Sequence, residues 1–129
     1  MNVDKYLRLD YKNRGRDSAG VDCWGLLRMI FKDDLGITLD RLDGYTDSEN
    51  KHQVEKVVLS ESLAHWSQVD TPQAYDAVVL NIAGKPSHVG LMLSDSTFIH
   101  VLRGRGVTVD RISNILWRDR LERYYRYSA

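Results

Sequence analysis

The sequence contains a single cysteine, two prolines and two phenylalanines. One cysteine excludes a disulfide within the chain, so the fold does not depend on an oxidising compartment. No stretch approaches the roughly 18 apolar residues of a membrane-spanning helix, and the start of the chain lacks the apolar core of a secretory signal. We therefore expect no membrane insertion, no signal peptide and a protein that is cytoplasmic at synthesis.

The chain also lacks an excess of charge of either sign. Its 129 residues include 18 basic and 18 acidic side chains, so no overall field favours nucleic acid or an anionic membrane. The hydrophobic fraction of 43% is that of an ordinary globular protein. Repeats, low-complexity tracts and linker-like segments are absent from the sequence. We predict one domain over residues 1–129 and no nucleic-acid partner.

The apolar pattern changes from helical to strand-like along the chain. Turn formers dominate residues 11–22, after which Asp22 can cap a helix over about Cys23–Leu35 that ends at Gly36. A second helix is predicted over 50–67. The strands that follow are predicted at Asp76–Ile82, His88–Leu93, Thr97–Leu102 and Val107–Asp110, with a final strand or short helix within Trp117–Tyr127. This order predicts an α+β fold, with the first helix packed on a central antiparallel sheet of about five to six strands.

Cys23 stands at the predicted start of the first helix. It shares a helical stripe with apolar residues, so its thiol belongs to the buried face, although the first turn need not be sealed in the core. A thiol attacks as the thiolate, and a helix N-terminus or a neighbouring imidazole lowers its pKa. Position alone fits a buried structural cysteine better than a nucleophile. The case for catalysis therefore depends on a partner histidine.

His88 and His100 lie in consecutive predicted strands. A three-residue turn pairs Leu93 with Thr97 and places the two histidines on one face as diagonal neighbours, whereas a two-residue turn places them on opposite faces. In the first register His88 can take the proton of Cys23. His100 then accepts from the other ring nitrogen of His88 and fixes its tautomer.

Two further points concern the same group of residues. Gly90, which has no side chain, is expected to leave room between the histidine rings. Cys23, His88 and His100 also supply enough N/S ligands for a catalytic zinc. The sequence offers no second cysteine, no HxxxH pair and no nearby carboxylate to support that alternative, so we predict no metal and no cofactor.

At these residues the sequence resembles the NlpC/P60 family of cell-wall cysteine peptidases, which belongs to the papain-like superfamily. Short motifs carry the resemblance, in the family's order and approximate spacing, across about residues 9–103. They are Tyr11, Asp22-Cys23-Trp24-Gly25-Leu26, Asp76-Ala77-Val78-Val79-Leu80, Ser87-His88-Val89-Gly90-Leu91 and Phe98-Ile99-His100-Val101. The resemblance implies a papain-like NlpC/P60 fold.

The resemblance also implies roles for single residues. Cys23 resembles the nucleophile, His88 the general base and His100 the orienting third residue. Tyr11 matches the family's tyrosine, whose hydroxyl faces the nucleophile and helps to bind the oxyanion. Oxyanion or substrate binding is also expected of three residues that flank the triad in the matched motifs, namely Asp22, Trp24 and Ser87.

Two positions depart from the family pattern. Arg14-Gly15 stands where the family usually has paired glycines, and Tyr75-Asp76 stands where a strand commonly begins Gly-Asp. Neither departure removes a reacting group. The first implies that the wall of the substrate cleft differs from the family pattern at Arg14-Gly15.

The implied activity is hydrolysis of peptidoglycan stem peptides, typically at the D-γ-glutamyl–diaminopimelate bond, through an acyl-enzyme on cysteine. The Asp-Cys-Trp-Gly block, the Lys-Pro-Ser-His-Val-Gly run and the Trp117–Tyr127 segment most resemble bacteriophage and prophage tail-assembly proteins. That branch implies other tail proteins as partners and action at the bacterial wall from a virion. Two alternatives remain open: a non-hydrolytic tail-assembly or wall-binding module with the same fold, and a papain-like amidase or acyltransferase.

Overall fold

A computed structural model of the chain describes residues 2–40 and 65–128. In these ranges the elements are β1 (Arg16–Asp17), β2 (Gly20–Val21), α1 (Cys23–Ile30), a π-helical turn (Phe31–Leu35), β3 (Trp66–Val69), β4 (Ala77–Ile82), β5 (Lys85–Met92), β6 (Thr97–Leu102), β7 (Gly106–Arg111) and β8 (Leu121–Tyr127). None of the helices in the described ranges has the length and apolar character needed to cross a membrane.

The predicted first helix is confirmed at both ends. The Asp22 carboxylate accepts a hydrogen bond from the Gly25 N–H at 2.8 Å, as an N-cap should. At the other end α1 continues into the π-helical turn and stops at Gly36, whose φ of 68° is left-handed. A glycine adopts that conformation without a steric penalty.

Six strands form one antiparallel sheet in the order β3-β8-β4-β5-β6-β7, which confirms the predicted α+β architecture. The final element, predicted as a strand or a short helix within Trp117–Tyr127, is the strand β8. The strand predicted from His88 begins three residues earlier, because Ala83 and Gly84 form a two-residue turn with φ of 52° and 78°. A turn with two positive φ values matches the right-handed twist of the strands that it joins. Ile82 pairs with Lys85 across this turn, so Lys85 and Pro86 belong to β5.

The predicted second helix over 50–67 lies mostly outside the described residues. Its end is wrong, because Trp66 and Ser67 begin β3 and pair with Tyr127 and Arg126 of β8. β3 pairs with β8 at the other end of the chain, and the sequence around β3 does not indicate that partner.

The loop predicted over 11–22 contains a small hairpin formed by β1 and β2. A parallel bridge joins Tyr11 to Val21, and the Lys12 N–H donates to the Val21 carbonyl at 2.9 Å. Tyr11 is therefore held beside the residues that enter α1.

The sheet has two apolar faces, and α1 covers one of them. On the α1 side the strands contribute buried residues that include Val79, Val89, Leu91, Ile99 and Val101. On the other side lie Val78, Leu80, Met92, Phe98, Tyr124 and Trp117, the last from the segment between β7 and β8. Because side chains alternate along a strand, His88 and His100 point to the Trp117 side.

Arg14 and Tyr75, which stand where the family usually has glycine, both have a left-handed backbone conformation. Arg14 has a φ of 57° and Tyr75 a φ of 71°, a region that costs an L-residue about 1–2 kcal/mol. At Tyr75 the side chain offsets part of this cost, since its hydroxyl donates to Asp34 at 2.9 Å and its ring packs on Phe31. Backbone conformation thus accounts for the preference for glycine at these positions.

Candidate active site

β5 and β6 pair closely only beside the turn that joins them. Their ladder pairs are Leu91–Ile99 and Met92–Phe98, and the Leu93 N–H donates to the Thr97 carbonyl at 2.9 Å. This register confirms the predicted three-residue turn. Among the described residues of these two strands no ladder pair lies further from the turn, whereas β6 and β7 pair along six residues. The strands therefore diverge toward His88 and His100.

The thiol of Cys23 lies in this gap. Backbone N–H groups alternate in direction along a strand, so the Val89 N–H points toward β6 as that of Leu93 does. The Val89 N–H donates to the sulfur of Cys23, and the Trp24 N–H donates to it as well. The N-terminus of α1 thus meets β5 at the residue next to His88.

Desolvation by burial raises the pKa of the Cys23 thiol to about 12, and the negative charge of Asp22 acts in the same direction. The N–H groups of Val89 and Trp24 and the charge of Arg16 lower the pKa but do not overcome burial. The expectation of a lowered pKa is therefore wrong for the resting protein. At neutral pH the thiol is protonated, and its attack on a substrate needs a base.

We expect the alkylation rate of Cys23 in the folded protein to rise with pH through about pH 9 and 10 without levelling, because burial holds the thiol protonated. The urea-unfolded chain should react faster at about pH 8, since its thiol titrates near the ordinary pKa of 9.0. Intact-protein mass spectrometry after iodoacetamide treatment measures both rates at the only cysteine. A folded-state rate that stays constant from about pH 6 to 8 would indicate a preformed thiolate and contradict this expectation.

The two histidines share a face, as the predicted register requires. Nε2 of His88 and Nδ1 of His100 lie 2.8 Å apart. The expectation for Gly90 is wrong in detail, because a Cβ there would lie 2.8 Å from Cδ2 of Phe98. Gly90 accommodates the Phe98 ring, which packs 4.4 Å from the His100 ring.

Asp110 and Trp117 extend this hydrogen-bonded pair. Nε2 of His100 and Oδ2 of Asp110 are 2.7 Å apart, and Nε1 of Trp117 donates to the same oxygen at 3.2 Å. The indole stacks on His88 with a centroid distance of 5.7 Å and an interplanar angle of 17°. Neither residue was expected at the site from the sequence. The β6–β7 register would have indicated Asp110, since His100 pairs with Thr108 and Asp110 is its diagonal neighbour.

Burial lowers the pKa of His100, and the positive charge of Arg105 lowers it further. The hydrogen bond and the charge of Asp110 raise it, without overcoming desolvation. His100 is therefore a neutral ring near neutral pH, with one nitrogen that donates and one that accepts.

Three of the predicted binding residues have polar atoms engaged within the fold. The buried Asp22 carboxylate accepts from Gly25 and Arg16, and the Trp24 indole donates to the Asp40 carbonyl at 2.8 Å. Ser87 is buried, with its hydroxyl 3.4 Å from the Lys85 carbonyl. Their direct role in substrate binding stays a prediction.

Asp22 and Arg16 form a buried ion pair at 2.7 Å, with side chains 0% and 4% exposed. We expect Asp22→Asn to keep the helix cap but to remove the buried ion pair with Arg16, lowering the free energy of unfolding by about 3 kcal/mol. Asp119→Asn removes a carboxylate that is 88% exposed and should cost less than about 1 kcal/mol. Urea unfolding compares the variants; equal losses would show that burial of the pair has no effect on stability.

Tyr11 lines a cavity of about 880 Å³ together with Lys12, Arg103 and Arg105. The positive charge of Arg105 acts on His100, but neither histidine of the pair nor Cys23 lines the cavity. Three basic side chains and one acidic side chain, Asp10, line it. The cavity therefore suits a substrate that carries carboxylates.

Within residues 2–40 and 65–128, no group of three or more His, Cys, Asp or Glu side chains is placed to hold a metal ion. Both ring nitrogens of His100 lie within hydrogen-bond distance of protein atoms, one of His88 and one of Asp110.

Comparison with known proteins identifies relatives across almost the whole chain. The sequence model of the NlpC/P60 family matches residues 8–126. The probable endopeptidase NlpC homolog of Haemophilus influenzae is 26% identical over 107 residues, which are 83% of this chain and 49% of that protein. The gamma-DL-glutamyl hydrolase of Bacillus subtilis is 26% identical over 126 residues, 97% of this chain and 28% of the relative. The chain thus spans half or less of the length of these two relatives.

Solved structures give the same fold. The NlpC/p60 domain of the peptidoglycan hydrolase SagA aligns with a TM-score of 0.64 and 22% identity, covering 97% of this chain and 91% of that one. A lipoprotein-like NLP/P60 protein from Staphylococcus aureus aligns with a TM-score of 0.68 and 22% identity, covering 97% and 38%. The predicted NlpC/P60 fold is confirmed.

Proposed function

The chain belongs to the NlpC/P60 family, and from this premise we propose that it is a cysteine endopeptidase that hydrolyses amide bonds in peptidoglycan stem peptides. The observation that carries the proposal is the hydrogen-bonded chain from His88 through His100 to Asp110, placed where the Val89 N–H meets the Cys23 sulfur. The names of the relatives, which include an endopeptidase and a gamma-DL-glutamyl hydrolase, support the reaction class, and SagA is named as a peptidoglycan hydrolase.

In the proposed first step, Nδ1 of His88 takes the thiol proton as the Cys23 sulfur attacks the amide carbon. The raised pKa of the thiol makes this transfer necessary at neutral pH. The developing oxyanion would accept from the Cys23 N–H at the start of α1 and from the Tyr11 hydroxyl. A positioned donor pair of this kind stabilises charge that exists only in the transition state.

The tetrahedral intermediate would then collapse by breaking the C–N bond. The imidazolium of His88 gives its proton to the leaving amine, and the acyl group stays on Cys23 as a thioester. A water molecule activated by His88 next attacks the thioester carbon. The thiolate leaves and recovers a proton, which restores the thiol and releases the carboxylic acid product.

We infer further that the bond cleaved is the D-γ-glutamyl–diaminopimelate amide. Both residues at this bond carry free carboxylates, and three basic side chains, Lys12, Arg103 and Arg105, line the cavity that contains Tyr11. Opposite charges at such a cleft favour correct placement of the substrate.

Mass spectrometry of muropeptides after incubation of purified sacculi with the protein tests the proposal. New stem-peptide fragments ending at D-glutamate support the endopeptidase and the bond. Cleavage at another amide bond would support the endopeptidase but contradict the assignment of the D-γ-glutamyl–diaminopimelate bond. Unchanged muropeptides with bound protein would support a wall-binding module, and a stable acyl group on Cys23 with transfer to an amine would support an acyltransferase.

We also propose that the protein works as a component of a phage or prophage tail, together with other tail proteins, and reaches the cell wall from the virion. The support is the resemblance of the Asp22–Gly25 block, the Lys85–Gly90 run and the Trp117–Tyr127 segment to tail-assembly proteins. Proteomic analysis of particles released after prophage induction in the source strain tests it. Purified particles without this chain would overturn the assignment.

A further inference from the structure

The hydrogen-bonded chain of the site continues past the third triad residue to a carboxylate. We propose that Asp110 is a positioning residue that fixes the tautomers of His100 and His88, so that His88 presents an unprotonated Nδ1 to Cys23. The inference rests on the proposed function for its kinetic consequence only. Its structural part concerns the resting protein and can be tested without substrate.

A neutral imidazole as the third residue cannot by itself orient the base. His100 has two tautomers, and each can hydrogen-bond to His88 with the proton on a different ring. If Nδ1 of His100 carried the proton, it would donate to Nε2 of His88. The proton of a neutral His88 would then sit on Nδ1, the atom that must accept from the thiol.

The Asp110 carboxylate removes this ambiguity. An ionised carboxylate only accepts, so Nε2 of His100, 2.7 Å from Oδ2, carries the proton. Nδ1 of the neutral His100 then accepts from Nε2–H of His88 across 2.8 Å. His88 is left with a lone pair on Nδ1. One carboxylate thus sets the proton positions on two rings.

The surroundings of Asp110 hold its side chain in place. The side chain is 15% exposed while His100 is fully buried, so the carboxylate keeps some contact with solvent. The indole N–H of Trp117, from the segment after β7, donates to the same oxygen at 3.2 Å. From the β6–β7 turn, Arg105 adds a positive charge that acts on His100. The stacked indole also restrains the His88 ring.

Asp110→Ala tests the proposal because it removes the acceptor of Nε2–H of His100. Asparagine would not test it, because the indole N–H of Trp117 donates to the same oxygen and would hold an amide carbonyl there. In the wild type, ¹⁵N NMR of the histidine rings should show Nε2–H for both His88 and His100. In Asp110→Ala the Nδ1–H form should appear in both rings, because a buried Nε2–H of His100 would lack an acceptor. In hydrolysis, kcat should fall about 10²- to 10⁴-fold with KM nearly unchanged.

Two further variants separate positioning from folding. Asp110→Glu retains a carboxylate and should retain the wild-type tautomers and more activity than Asp110→Ala. Asp119→Asn, at a site 88% exposed, should leave the tautomers and the activity unchanged. A wild-type spectrum with Nδ1–H on His100, or Asp110→Ala with unchanged tautomers, would overturn the inference. Because the spectra need no substrate, the tautomers can be assigned even if the protein does not hydrolyse peptidoglycan.

Discussion

Replacing Cys23 with alanine should abolish hydrolysis of purified sacculi while the protein stays folded. The acyl group is transferred to sulfur in the proposed mechanism, and no other cysteine exists to replace it. Oxyanion binding and substrate positioning alone leave only residual catalysis, so we expect a rate at least about 10³-fold below that of the wild type. Release of soluble muropeptides over time, measured by liquid chromatography, gives the two rates.

The fold should tolerate this substitution. Alanine is the best helix former, and Cys23 is half-buried in the first turn of α1. Lys32→Ala provides the matched control, because it truncates an exposed side chain in the adjoining π-helical turn and should retain full activity. Hydrolysis at the wild-type rate by a folded Cys23→Ala protein would exclude the enzymatic role assigned to this residue.

Replacing His88 with alanine should lower hydrolysis about 10²- to 10⁴-fold, the contribution of a general base. The buried thiol has a pKa raised to about 12, so without a base it stays protonated and unreactive near neutrality. For the same reason, alkylation of Cys23 at about pH 7 should slow in this variant. As the pH rises through about 9 and 10 the difference in alkylation should narrow, since hydroxide then removes the proton.

His65→Ala is the matched control, since His65 is exposed and its ring lies against Tyr127 rather than the site. We expect wild-type hydrolysis and alkylation from it. If His88→Ala and the wild type were alkylated at the same rate across the whole pH range, the pairing of Cys23 with His88 would have to be abandoned.

Local chemistry made part of the site predictable from sequence. Asp22 as an N-cap and Gly36 as a left-handed stop are determined by residues within one turn of each helix end. The register of β5 and β6 follows from the length of one turn, and it placed His88 and His100 on one face correctly. These features depend on neighbours along the chain, which a sequence displays directly.

The remaining features depend on contacts between distant segments. Asp110 reaches His100 only through the register of the next hairpin, and Trp117 covers His88 from a segment that no periodicity describes. The raised pKa of Cys23 arises from burial by the whole fold, which outweighs the local helix terminus. β3 pairs with the last strand of the chain, so its partner could not be read from its own sequence.

Reversible modification of the single thiol is the most direct test of Cys23 as the nucleophile. Methyl methanethiosulfonate adds one small methylthio group to the sulfur as a disulfide and releases methanesulfinate, and intact-protein mass spectrometry counts the modified fraction at the only cysteine in the chain. The account predicts that hydrolysis of sacculi falls in proportion to that fraction, reaches zero at complete modification and returns after reduction with dithiothreitol. Full hydrolysis by completely modified protein would contradict it.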